Sequence, residues 1–471
     1  MGREQEDKGE SMNYVSTRGR VEPVGFQRAV MMGLADDGGL LIPESIPDVS
    51  GRLDEWQALS YSELAFEVLR LFATDIPEQD LKALIDHTYA DAFGPEVAPA
   101  VPVGGIYVLE LWHGPTLSFK DIALQLLGNL FEYILARQGG RLNILGATSG
   151  DTGSAAIYGV RGRKGIEIFM MHPEGRVSDI QQRQMTSVLD ANVHNIAVKG
   201  SFDDCQHIMK TLAGDLDFKR AYSLGAVNSV NWARVLAQIV YYFKAVFDVQ
   251  SATGLAEIRV AVPTGNFGDV LAGWYARQMG LPIRHLILAA NENDILSRFF
   301  NTGVYSLGEV HQTLSPAMDI QVASNFERYL YYKLGSDAGL LRETMEQFAA
   351  TGSLQVPQDA DGKVDPVFQA GTGNTSDCLA AIRKYHQQYD YLLDPHSAVG
   401  VAVSEAQGLG EPVICLATAH PAKFPDAIKQ AIGQDVARHP DIDKLMDLPT
   451  RCEQIDNDAK AVREYIIKTV G

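Results

Sequence analysis

The chain has 471 residues, 40 of them Lys or Arg and 59 Asp or Glu, for a formal charge of −19, and 46% are hydrophobic. That length buries a large core and suggests two or three domains. The acidic balance argues against nucleic acid or an anionic membrane as the main partner, because both require clustered Lys and Arg, but it leaves a small anionic ligand open.

Residues 1–11 are too polar for a signal sequence and read as a disordered lead, with Met12 an alternative start. No apolar run reaches the roughly 18 residues that suggest a membrane span. Over 12–100 the pattern is helical, at Phe26–Leu34, Tyr61–Ala73 and Gln79–Thr88, with hardly any strand signal. From there, short β-branched runs alternate with helical segments, the pattern of parallel βαβ units and of an α/β fold. The expected strands are Tyr107–Leu111, Leu142–Leu145, Ile166–Met171, Val193–Val198, Ile258–Val262, Ile283–Ala289 and Val413–Leu416. Helices are expected at Asp121–Arg137, Gly153–Gly159, Asp179–Leu189, Phe202–Leu212, Ser229–Phe247, Asp269–Met279 and Asp294–Phe300. Ser324 to His386 is strand-poor, and Asn325–Leu334 and Gly339–Ala350 read there as exposed amphipathic helices. Cys205, Cys378, Cys415 and Cys452 lie far apart without a C-x-x-C pair, which predicts reduced thiols, a cytoplasmic location and no zinc site.

Three turns rich in small or polar residues follow expected strands directly: Ala147–Gly153, Pro263–Asp269 and Ala417–Lys423. In an open parallel sheet this is the carboxyl edge, where ligands bind. Small residues let backbone N–H groups approach an anion, and a following helix adds its positive end. None carries the Walker or the G-x-G-x-x-G pattern, so neither a nucleotide triphosphate nor a dinucleotide is indicated. Each turn alone could be a tight connection; together they suit a cofactor phosphate and a substrate phosphate. Gly371–Asp377 looks similar, but no strand is expected before it, and it reads as the cap of a helix over Cys378–Gln387.

Lys120 stands at a helix start between Phe119 and Asp121-Ile122. A surface lysine would fit the local pattern as well. If the position is partly apolar, however, desolvation and the helix dipole both disfavour the ammonium and leave the amine free to attack a carbonyl.

His113-Gly-Pro-Thr-Leu-Ser-Phe-Lys120-Asp121 resembles the pyridoxal-phosphate lysine signature of the threonine synthases. Thr148–Gly153, Asn228–Arg234, Gly265–Asp269 and Thr418–Phe424 are similar to further blocks of that family in the same order, and the likeness runs from about Tyr14 to about Leu448. The resemblance implies a fold-type II pyridoxal-phosphate enzyme with two open, mostly parallel sheets flanked by helices. It implies a helical N-terminal region over 12–100, a small α/β domain over 101–230 and a large one over 231–471, the last with a helical insertion at about 324–390. The implied cofactor is pyridoxal 5′-phosphate and the implied substrate O-phospho-L-homoserine, which is converted with water to L-threonine and phosphate.

Carried over by residue, the resemblance makes Lys120 the cofactor-linked lysine and proton shuttle. Gly265, Asn266, Phe267, Gly268 and Asp269 become the cofactor-phosphate loop, and Thr418 the hydroxyl facing the pyridine nitrogen. Asp269, a carboxylate beside a phosphate, is expected to cap the helix or to accept a hydrogen bond while pointing away. Ser149, Asp151, Thr152, Asn228, Ser229, Asn231, Arg234 and His113 are the candidates for binding substrate, with Lys423 bordering the site and His396 structural. Arg234 lies three residues after Asn231, so both could face one side of their helix; an ion pair between domains is the other reading of Arg234. A related phospholyase that releases 2-oxobutyrate, and a non-catalytic cofactor-binding protein, are the alternatives. The chain is expected as a monomer or homodimer.

Overall fold

The computed structural model describes residues 11–408 and 410–471. The disordered lead expected for 1–11 therefore falls almost wholly outside the described residues. Two mostly parallel sheets carry the architecture. The larger has the strand order Phe368–Thr372, Ile283–Ala290, Ile258–Pro263, Val413–Ala417, Ile106–Glu110, Ala100–Val103, parallel throughout except for the last pair. The smaller, all parallel, runs Glu453–Asp456, Val193–Lys199, Ile166–Pro173, Leu142–Ala147, Leu224–Gly225.

Strand pairing passes from the smaller sheet to the larger between Gly225 and Ile258, on either side of residue 230, but the outer limits of the two sheets differ from those expected. Ala100–Val103 and Ile106–Glu110 belong to the larger sheet, and Glu453–Asp456 crosses back to the edge of the smaller one, where the helix Ala459–Val470 packs on the helix Phe202–Gly214. The boundary expected at 101 is corrected accordingly. The physical reason is the Lys120–Gln138 helix, which leaves the larger sheet and enters the smaller, so the crossover lies inside a buried helix that no linker composition marks.

Two helices form the apolar centre. Lys120–Gln138 buries Ile122, Leu126, Leu130, Phe131 and Ile134, while Trp232–Thr253 is buried on nearly every side and stops at Gly254 in the left-handed conformation. A helix apolar all round must lie inside, which this one does, under the N-terminal helix Tyr61–Leu69 and against Gly268–Gln278. Gly128 explains how Lys120–Gln138 approaches the helix Asp151–Val160 so closely: a Cβ there would stand 1.8 Å from the Gly159 carbonyl oxygen. Gly128→Ala is expected to destabilise the protein by about 1–3 kcal/mol, read as a lower urea midpoint with unchanged slope.

The expected strands all form, most extended by a residue or two. The N-terminal region also contains a short antiparallel pair, Tyr14–Ser16 with Leu41–Pro43, which its composition did not signal. Phe368–Thr372 is a real strand before Gly373, so the expectation that no strand precedes this turn was wrong; Asn374 does cap the helix Thr375–Tyr389 through a capping box. Phe326–Lys333, expected as an exposed helix, buries Phe326, Glu327, Arg328, Tyr329 and Leu330, because it is clamped onto the site described next.

Candidate active site

Three neighbouring strands of the larger sheet, Ile258–Pro263, Val413–Ala417 and Ile106–Glu110, run parallel, so their carboxyl ends open side by side. From them emerge the 264–267 turn, the 418–424 turn and the 111–119 segment leading to Lys120. The last two are pinned together by Phe119 N–H to the Thr418 carbonyl at 2.9 Å and His420 N–H to the Leu117 carbonyl at 3.1 Å. Across from them stands the 148–150 turn of the smaller sheet. The four segments meet at Lys120.

Lys120 is the first residue of its helix and is 8% exposed. Its Nζ lies 3.9 Å from Asp151 Oδ2 and 4.7 Å from the centre of the Phe119 ring. Burial pushes its amine below the ordinary lysine value; Asp151 opposes this, while Lys423 and Arg234 add to it. Asp151 is itself committed: Lys423 Nζ at 2.9 Å and Gln181 Nε2 at 2.8 Å both reach its Oδ1. Burial alone would raise the Asp151 carboxyl, but the two lysines outweigh it and hold the group well below the usual carboxylate range. Lys423, fully buried, also donates to the Thr116 carbonyl at 2.6 Å, which receives Gln184 Nε2 at 3.0 Å as well.

Around Gly265, Asn266, Phe267, Gly268 and Asp269, the amide N–H groups from Gly265 to Val270 have no protein acceptor among the described residues. Phe267 holds φ at 64°, a left-handed conformation costly for an aromatic residue, and its ring is locked among Phe300, Phe326, Tyr329 and Phe368. A Cβ on Gly265 would meet the Ala317 carbonyl oxygen at 2.6 Å, so the loop has room for glycine alone. Asp269 does not cap the helix. Its Oδ1 accepts from Tyr241 at 2.5 Å and Tyr242 at 2.9 Å, which turns it toward the Trp232–Thr253 helix. Burial raises its carboxyl to about 6, against the pull of the two phenols and of Lys120.

In the 147–153 turn, Thr148 Oγ1 accepts from Gly150 and Gly153 N–H. The N–H groups of Ser149, Asp151 and Thr152 have no acceptor among the described residues, and Ser149 is exposed. Since the Asp151 carboxylate is ion-paired, what this turn can offer an anion is its backbone. Thr418 is 7% exposed, takes the Ser397 hydroxyl as acceptor of its N–H at 3.2 Å, and leaves its own hydroxyl without a protein partner among the described residues. Ser397 donates to Asp394, and Asp394 also accepts from His396, whose Nε2 receives the Ala317 N–H at 3.2 Å. With both ring nitrogens so placed, His396 is structural and steadies the segment that covers Gly265.

The segment Asn228–Arg234 separates into two kinds of residue. Asn231 is corrected: expected to face substrate, it is fully buried, caps its helix through Ala233 N–H at 3.1 Å, and donates to the Val30 carbonyl at 2.8 Å. Both ends of its amide are occupied by backbone. Arg234, 5% exposed, has Nε and Nη1 without partners, and no carboxylate among the described residues pairs with it; burial lowers it to about 10. The interdomain ion pair is thus not formed. Asn228 keeps a buried, unpartnered Oδ1, and Ser229 is hydrogen-bonded to Ser324 at 2.8 Å. His113 contacts Glu110 at 2.9 Å and stacks on Trp112 at the edge of the site.

Residues that sequence reasoning missed hold these parts together. Ser324 reaches Asn266 Oδ1 at 3.1 Å as well as Ser229, while Asn325 takes the Asn266 carbonyl with its N–H at 3.1 Å and the Ser229 carbonyl with its Nδ2 at 3.0 Å. A Ser-Asn pair before a helix reads locally as an ordinary cap, so nothing in the sequence marked it.

These residues fit pyridoxal phosphate: a buried amine of lowered pKa, a row of unpaired N–H groups at a helix start, and an unengaged hydroxyl. A family model described as pyridoxal-phosphate dependent enzyme matches residues 95–418, flanked by threonine synthase N terminus over 13–89 and threonine synthase, C-terminal over 397–466. The fold and site therefore define a fold-type II pyridoxal-phosphate-dependent enzyme. The threonine synthase of Methylobacillus glycogenes is 44% identical, with 98% of this chain and 100% of that protein aligned; that of Pseudomonas aeruginosa is 43% identical, with 97% and 98% aligned. The crystal structure of PLP-bound threonine synthase from Brucella melitensis superposes with a TM-score of 0.93 at 43% identity, covering 98% of this chain and 100% of that one. The chain belongs to the threonine synthase family.

Proposed function

We propose that the protein converts O-phospho-L-homoserine and water into L-threonine and phosphate with pyridoxal 5′-phosphate as cofactor, in threonine biosynthesis in the cytoplasm. Membership of the family supports the activity. The observation that carries the reading is the convergence on one buried lysine of three strand ends and a facing turn, each offering a different group. All four cysteines are free, in keeping with a reducing compartment, and no described helix is long and apolar enough to cross a membrane.

Lys120 would carry the cofactor, the N–H row of Gly265 to Asp269 would hold its phosphate, and Thr418 would face its ring nitrogen. When bound, pyridoxal phosphate supplies an electron sink for the negative charge that develops beside the substrate amine. A hydroxyl at Thr418 does not hold the ring nitrogen protonated as a carboxylate would, which favours passing charge on toward the γ-phosphate. Lys120 would serve as the base at Cα and then as the proton shuttle at Cβ and Cγ. The lysine pKa is held below its ordinary value by burial and by Lys423 and Arg234, against the pull of Asp151, which favours the neutral amine. The backbone of Ser149, Asp151 and Thr152 would receive one substrate anion and Arg234, with Asn228 as a further candidate, the other. Ser229, bonded to Ser324, and His113, at the edge, border the substrate and orient these groups.

Incubation with O-phospho-L-homoserine followed by amino-acid and oxo-acid analysis tests the reading. Threonine and phosphate in equal amounts are expected; 2-oxobutyrate without threonine would make the protein a phospholyase, and no turnover a cofactor-binding protein only.

A further inference from the structure

Arg328 is a fully buried cation in the first turn of the Phe326–Lys333 helix, and it makes no ion pair among the described residues. Its neighbour Glu327 is committed to the N-terminal region, where it accepts from Thr17 at 2.7 Å and from Arg18 at 2.9 and 3.1 Å. Arg328 donates to neutral acceptors instead. Nε and Nη2 reach the Leu41 carbonyl at 3.1 and 2.9 Å, Nη2 also reaches the Val230 carbonyl, and Nη1 reaches Asn325 Oδ1. Burial lowers its pKa to about 10, so the group stays charged at neutral pH. A buried charge without a counter-ion costs stability that an apolar side chain of similar shape would not. The direction of its donors gives it a different use.

A guanidinium can only donate, and that fixes the Asn325 amide. With Oδ1 turned to Arg328, Nδ2 faces the other way and donates to the Ser229 carbonyl at 3.0 Å. The backbone N–H of Asn325 meets the Asn266 carbonyl at 3.1 Å, and a Cβ on Gly268 would stand 3.1 Å from Asn325 Nδ2. One buried residue thus touches the 265–269 loop on one side and the 228–234 segment on the other. Arg328 holds that segment a second time, at the Val230 carbonyl. Its own anchor is Leu41, in the strand Leu41–Pro43 that pairs with Tyr14–Ser16.

We propose, on the reading of 265–269 as the cofactor loop and 228–234 as the substrate segment, that Arg328 is a positioning residue for substrate: its donor-only fork locks the Asn325 amide and the Val230 carbonyl, and so sets Asn228 and Arg234 in place relative to the cofactor. It touches neither cofactor nor substrate and moves no proton. The anion contact it supports is made alike before and during the reaction, so its loss raises KM and leaves kcat nearly as it was. A purely structural role would act the other way. Unfolding part of the population lowers apparent kcat and does not move the KM of the molecules that remain folded.

Asn325→Asp and Arg328→Met in the full holoenzyme test this. In Asn325→Asp the new carboxylate still accepts from Arg328, but it cannot donate to the Ser229 carbonyl and repels it. KM for O-phospho-L-homoserine is expected to rise by about tenfold or more, with kcat within about threefold of wild type. Arg328→Met is expected to do the same, and adding Asn325→Ala to it should not exceed the larger single effect, because the two residues act as one unit. KM values within about twofold of wild type, or effects of Arg328→Met and Asn325→Ala that multiply, would overturn the proposal. Should Arg328→Met fail to fold, Arg328→Lys keeps the charge without the fork; a raised KM is expected there too, and a wild-type KM overturns the proposal. The half-saturating concentration is read both from phosphate release and from the change in the cofactor's visible band. A wild type whose band responds to no concentration of O-phospho-L-homoserine would refute the substrate assigned above, whereas a responding wild type with unshifted variants refutes the role of Arg328 alone.

Discussion

Lys120→Ala is expected to abolish turnover, by about 10⁴-fold or more, because the proposed function gives this one side chain both the anchoring of the cofactor and the shuttling of protons. The variant should still retain pyridoxal phosphate non-covalently, since the N–H row and Thr418 are untouched. Its spectrum should resemble that of the free cofactor and lack the visible band of a lysine-linked one. The fold should survive, because Lys120 makes no hydrogen bond that supports the helix start: Phe119 and Asp121 carry those contacts through backbone N–H to Thr418 and Ser118 carbonyls. A variant that kept the band would show that another lysine is the anchor. Lys423, buried beside it, is the obvious competitor, and its commitment to Asp151 and Thr116 is the reason to reject it.

Lys423→Met is expected to have the second-largest effect. Removing one partner of a buried pair leaves Asp151 charged with Gln181 and a lysine 3.9 Å away, at a cost of about 3–5 kcal/mol. The functional consequence has a definite sign. Lys423 lowers the Lys120 pKa and occupies Asp151; without it, Asp151 turns to Lys120 and stabilises the ammonium. The Lys120 pKa then rises, and the pH at which cofactor becomes covalently attached moves upward with it. A pH titration of the visible band in both proteins measures this. An unshifted midpoint would mean that Lys423 acts on stability alone.

Much of the site was legible because its chemistry is local. Lys120 at a helix start after a strand, and Gly265 to Asp269 between a strand and a helix, are each contiguous, and strand alternation placed them at one sheet edge. What could not be read was the long-range clamping. Ser324 and Asn325 join the Asn266 and Ser229 turns from a segment that looked like an accessory insertion, since a hydrogen bond across 58 or 95 residues leaves no periodic trace. Asn231 and Arg234 show the limit of helical spacing: three residues apart, one became a cap and the other an unpaired cation. The strand Glu453–Asp456 was missed because an exposed edge strand needs no apolar run.

The charge of −19 and the binding of anions are reconciled at the same scale. Around Lys120 the side chains of Lys423 and Arg234 stand against those of Asp151 and Asp121, so the attraction for anions is assigned to the unpaired backbone N–H groups at the helix starts and to Arg234, which no carboxylate among the described residues engages.

Reaction in water labelled with heavy oxygen tests the central claim most directly. Loss of the γ-phosphate by carbon–oxygen cleavage followed by water addition at Cβ places the label in the threonine hydroxyl and none in the released phosphate. Label in the phosphate, with homoserine as the other product, would mean that water attacks phosphorus and would contradict the account.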